Sequence, residues 1–140
     1  MANEANIIEL YGFDKGRPLN YTVADDTNIS AGTLGNLIDP RTVLKGAKDN
    51  EFFAGIAVSD KEAGDGSTTL GFYTTGLFDL VAEQQGAAIS AGQLVKMSGA
   101  NFIHLADDST IEEAGQIVGL AMEDKASNVE ETIVVDIGVR

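Results

Sequence analysis

Ile29-Ser30-Ala31-Gly32-Thr33-Leu34 returns 60 positions later as Ile89-Ser90-Ala91-Gly92-Gln93-Leu94. Gly55-Ile56-Ala57-Val58-Ser59-Asp60-Lys61 returns as Gly119-Leu120-Ala121-Met122-Glu123-Asp124-Lys125, at an offset of 64. The second copy therefore carries four extra residues between its motifs. Five identities in the hexamer and four in the heptamer, in the same order, point to an internal repeat rather than to shared turn chemistry. In each copy Ser-Ala-Gly reads as a tight turn, where glycine supplies a positive φ or room for a close backbone. A strand begins at the following leucine. The Gly-(Ile/Leu)-Ala-(Val/Met) run reads as a packed strand whose small residues admit a neighbour, and Asp-Lys as the start of an exposed loop. Each copy ends in an alternating strand, from near Thr69 and near Thr132.

Outward from the repeat, side chains alternate with the period of two that marks strands. Ile133, Val135, Ile137 and Val139 share one face of the last strand. A run over 69–80 places Leu70, Phe72, Phe78 and Leu80 together. Residues 94–97 and 102–105 read as a hairpin around Ser98-Gly99-Ala100-Asn101. Residues 116–122 form another strand. Helix is scarce: Ser109-Thr110-Ile111-Glu112 fits a capping box, but Gly115 ends it within about a turn. The expected fold is all-β, a small barrel or sandwich of two related units whose closure hides strand edges. The units fall at about 29–80 and 89–140, within a domain of 21–140. Residues 1–20 read as an extended N-terminal arm with one short strand. Its Ile7, Ile8, Leu10, Tyr11 and Phe13 are apolar, while Gly12, Gly16 and Pro18 interrupt it. Such a segment either docks elsewhere or forms an ordinary first strand.

The 140 residues suit one domain with a real core. Cysteine is absent, which excludes disulfides and thiolate metal sites. No basic and apolar leader opens the chain, and no apolar run is long enough for a membrane helix. Without a secretory route, the sequons at Asn20 and Asn28 carry no weight. The net charge is −13, with nine scattered Lys and Arg. Phosphate neutralisation needs clustered cations, so neither nucleic acid nor an anionic membrane is an expected partner.

No catalytic set is legible. His104, the single histidine, has no second histidine or cysteine to complete a metal or nucleophile site and reads as a surface residue. Gly64-Asp65-Gly66-Ser67-Thr68 lacks the spacing and lysine of a phosphate loop. The acid pairs at 25–26, 107–108, 112–113 and 130–131 are adjacent rather than opposed across a cleft. No enzyme, cofactor or metal is expected.

Gly86-Ala87-Ala88-Ile89-Ser90-Ala91-Gly92-Gln93-Leu94-Val95-Lys96, the Gly/Asn hairpin, Gly115–Glu123 and the closing Val/Ile strand together resemble the capsid decoration, or cement, proteins of tailed phages. Lambda-like head-decoration proteins are a more distant likeness. The resemblance spans roughly 25–140. It implies a β-rich homotrimer on the capsid exterior, made in the host cytoplasm. Such a trimer clamps major capsid proteins after head expansion and resists the pressure of packaged DNA. No functional residue carries over from the resemblance. The arm, through Ile7, Ile8, Leu10, Tyr11 and Phe13, is the candidate capsid contact. Rival classes are a small β-barrel hydrolase-like domain with its site in the acidic loops, and a carbohydrate-binding tail or adhesin module. The lack of tryptophan weighs against the last.

Overall fold

The computed structural model describes residues 3–10, 18–47, 51–84, 86–106 and 115–138. They form an all-β protein. The strands are β1 (Asn6–Glu9), β2 (Leu19–Thr22), β3 (Leu34–Asp39), β4 (Thr42–Lys45), β5 (Phe53–Ala57), β6 (Thr69–Tyr73), β7 (Leu77–Ala82), β8 (Leu94–Gly99), β9 (Phe102–Leu105), β10 (Ile117–Ala121) and β11 (Glu131–Asp136). Strands β2-β4-β3-β5-β6 close into one barrel. The second sheet runs β1-β7-β11-β10-β8-β9, and a β7–β9 pairing closes it. Shifting each strand of the first barrel by five places gives the strand order of the second. Even the one parallel closure recurs, as Thr22↔Thr42 in one and Val81↔Phe102 in the other.

The repeated motifs explain the duplication. The Ser-Ala-Gly turns put Gly32 at φ +90° and Gly92 at +97°. Gly32 N donates to Ala57 O and Gly92 N to Ala121 O, each at 2.8 Å. Ile29 bridges Lys61 as Ile89 bridges Lys125. The repeated aspartates cap the turns: Ala31 N donates to Asp60 Oδ1 at 2.7 Å, and Ala91 N to Asp124 Oδ1 at 2.8 Å. The small strand residues serve close approach as expected. A Cβ on Gly55 would lie 2.6 Å from Tyr73 O, and one on Gly119 2.3 Å from Asp136 O.

Two local expectations change. The run over 69–80 is two strands in different barrels. Thr74-Thr75-Gly76 interrupts it, with Gly76 at φ +131°, a region that L side chains rarely adopt. Leu70 and Phe72 therefore fill the first barrel, and Phe78 and Leu80 the second. The Asp-Lys pair does not open an exposed loop on its lysine side: Lys61 and Lys125 are 3% and 2% exposed. Lys61 Nζ donates to the carbonyls of Asp25 (2.8 Å) and Glu62 (3.2 Å) and to Asp65 Oδ1 (3.2 Å). A long alkyl stem buried among loops lets one ammonium gather their carbonyls.

Two cores result. Val23, Ile29, Val43, Ala54, Ala57, Leu70 and Phe72 fill the first barrel. The larger cluster joins the second barrel's interior to Leu34, Phe53 and Ile56 of the first. This is why β5 is buried along its whole length: one face serves each cluster.

Candidate interaction surfaces

The single histidine is half-buried in β9, where its Nδ1 lies 3.1 Å from Glu83 Oε1. It is an internal partner rather than the free surface residue expected. Gly64–Thr68 is a loop between β5 and β6. Its amides turn inward to carboxylates: Gly66 N donates to Asp25 Oδ1 and Ser67 N to Asp65 Oδ1, at 2.7 and 2.8 Å. The Ser67 amide, followed by Lys61 and the Glu62 amide, holds the Asp65 carboxyl below its ordinary range. Asp25, from the connection between β2 and β3, thus ties that connection to the β5–β6 loop, and Glu131 Oε2 accepts from Ala126 N at 3.3 Å in the segment leading into β11. The acids at 107–108 and 112–113, the capping box at 109–112 and Val139 lie outside the described residues. Among the described residues, no group of three or more His, Asp or Glu is placed to hold a metal.

What the surface does offer is apolar side chains. In the arm, β1 pairs antiparallel with β7, Asn6 opposite Asp79 and Ile7 opposite Phe78. Ala5 N donates to Gly32 O at 2.8 Å, which ties the arm to the first repeat turn. Ile7 and Ile8 remain 50% and 49% exposed. Leu10 instead packs on the larger core. Tyr11 and Phe13 lie outside the described residues. As the end strand of its sheet, β1 leaves its outer edge uncovered by any described strand. A cavity of about 230 Å³ lies between the arm and the first barrel, lined by Ala5, Ile7, Gly32, Ile56 and Tyr73 among others.

The stretch of β7 that β1 covers corresponds to Leu19-Asn20 of β2, since Thr22 and Val81 occupy matching closures. No described strand pairs with the first barrel there. The Arg41 guanidinium donates to Asn20 O at 2.7 Å, and the preceding Pro18 has no N–H to offer. Both features blunt a strand edge.

The β3–β4 hairpin carries another patch. Leu37, Ile38 and Leu44 are 37%, 43% and 38% exposed. Alternation alone did not reveal them, because a hairpin that leaves the barrel exposes both faces. The missed signal was composition: apolar residues flank Asp39-Pro40-Arg41 where a solvated turn would carry polar ones.

With this geometry in hand, comparison with known protein families gives a match. A family model described as phage cement protein aligns with residues 13–137. No curated protein matches the chain.

Proposed function

Because the chain belongs to the phage cement protein family, we propose that it binds the outer surface of a phage head as a homotrimer and stabilises the expanded shell against the pressure of packaged DNA. Membership supports a structural role on the capsid, and the match over 13–137 is the observation that carries the reading. The partners are the major capsid protein and further copies of this chain. The protein is made in the host cytoplasm and resides on the capsid exterior. Decoration adds buried contact between shell subunits, and a trimer sums several modest contacts into one durable clamp. The arm is the part that reaches the capsid protein. With one side of β1 taken by β7, the other side is free to receive an extended capsid segment, its backbone bonding to the edge while Ile7 and Ile8 bury against it. Leu10 contributes from behind by anchoring the arm to the core, and Tyr11 and Phe13 complete the contact. The acidic surface suits a protein made at high copy.

The test is cryo-microscopy of expanded heads with and without the purified protein, together with the temperature at which heads release DNA. Triangular density on the shell and a higher release temperature are expected. Heads that bind no protein would overturn the reading. Deleting residues 2–14 then addresses the arm: a folded trimer that no longer decorates identifies the contact, and unchanged decoration removes it.

A further inference from the structure

The two barrels are held together by a contact that the second makes and the first does not. The β8–β9 hairpin of the second barrel leans on the first. Asn101 Oδ1 at its tip accepts from Leu34 N at 3.0 Å in a buried setting. Met97 fills the space over Gly46 so completely that a Cβ there would lie 2.2 Å from its Sδ. Met97 and Leu34 are both fully buried as a result. The offset of 60 maps this hairpin onto β3–β4, with Met97 corresponding to Leu37 and Asn101 to Arg41. The pair Asn101 and Arg41 shares an unusual positive φ, +61° and +51°, so the tips have like conformation. The same offset maps the receiving residues Leu34 and Gly46 onto Leu94 and Ala106, and the defining bond recurs: Gly46 N donates to Leu34 O at 2.8 Å, and Ala106 N to Leu94 O at 3.0 Å. Within one chain, then, one tip is seated, while its counterpart stands in solvent with Leu37, Ile38 and Leu44 exposed. Leu34 is fully covered, whereas Leu94 stays partly exposed beside Ala106, which is 9% exposed.

We propose that the β3–β4 tip of one copy seats on the Leu94–Ala106 face of the next, repeating between chains the contact that joins the barrels within each chain. The occupant is a second copy because the internal interface continues into it. The polar pair is not repeated, since Arg41 has no acceptor and is bonded to Asn20 O. Such a contact is head-to-tail, and head-to-tail contacts that close make rings. This rests on the homotrimer proposed above, in which three chains would set six barrels around one axis.

The chain has no cysteine, so single substitutions report cleanly. Arg41→Cys and Leu94→Cys are prepared separately, because their counterparts Asn101 and Leu34 touch directly. Each is treated with a short bis-maleimide, alone and mixed, in solution and on decorated heads. A covalent dimer from the mixture, with none from either variant alone, is the expected result. Leu37→Asp should then weaken self-association by at least about tenfold, since a buried carboxylate at the seat is costly. Light scattering on the unaltered chain separates the failures. Trimers without cross-linking in the mixture would overturn this surface and leave the trimer standing. Monomers in solution and isolated single copies on heads would overturn the trimer and this surface with it. A cross-link formed equally by one variant alone would replace the head-to-tail contact with a two-fold one and overturn the proposal.

Discussion

Single residues at equivalent places do different work in the two halves, and Gly32 and Gly92 make the clearest pair. Both sit at positive φ, which costs an L residue roughly 1–2 kcal/mol. At Gly92 a Cβ would meet nothing within 4 Å, whereas at Gly32 it would lie 2.5 Å from Ala5 O. Gly92→Ala should therefore cost about the backbone strain alone, while Gly32→Ala adds displacement of the arm. Chemical denaturation of the two variants checks this, and equal losses would show that the arm does not press on Gly32 in solution. Lys61 supplies a second case. Lys61→Met keeps the buried stem but leaves the carbonyls of Asp25 and Glu62 without their donor, a loss of about 1–3 kcal/mol. Asp65 carries a pH signature of its own. Its carboxyl is depressed in the folded state, chiefly by the Ser67 amide. The stability it contributes is complete above the ordinary aspartate range and is lost as pH falls through that range to its folded value. Melting temperatures of Asp65→Asn should accordingly fall less between neutral and strongly acid pH than those of the unaltered chain.

Among the elements, the β8–β9 hairpin decides how the barrels join. Its sequence reads as a hairpin and the chain forms one, with Asn101 in the left-handed turn position. What the sequence conceals is that the tip lands on the other barrel. Asn101→Ala would leave the buried Leu34 amide without its acceptor, a loss of about 1–3 kcal/mol. Gly46→Ala would force Met97 out of its seat at a similar cost. The two residues share one contact, so the double variant should lose less than the sum, which a double-mutant cycle by denaturation measures. The arm was legible as apolar and interrupted. That Ile7 and Ile8 would stay exposed while Leu10 turned inward depended on which edge of β7 was open.

At the scale of the molecule, the larger core joins side chains of both barrels, so neither barrel is complete without the other. The chain should unfold in a single transition by calorimetry and by denaturant, with matching midpoints for near- and far-ultraviolet circular dichroism. Two resolved transitions would show that the shared contacts are weak. The sequence by itself determined the all-β class, the duplication and the turn that begins each half. Period-two alternation and glycine dihedrals are properties of neighbouring residues, and equal local patterns fold alike. Only the tertiary structure decided that the run over 69–80 breaks between barrels, that Lys61 and Lys125 are buried, and that one hairpin tip is covered while its twin is bare. Each of these depends on what lies across space from a residue: a carbonyl cluster for an ammonium, a glycine for Met97, solvent for Leu37. Residues far apart in the chain supply those partners, so local pattern carries no record of them.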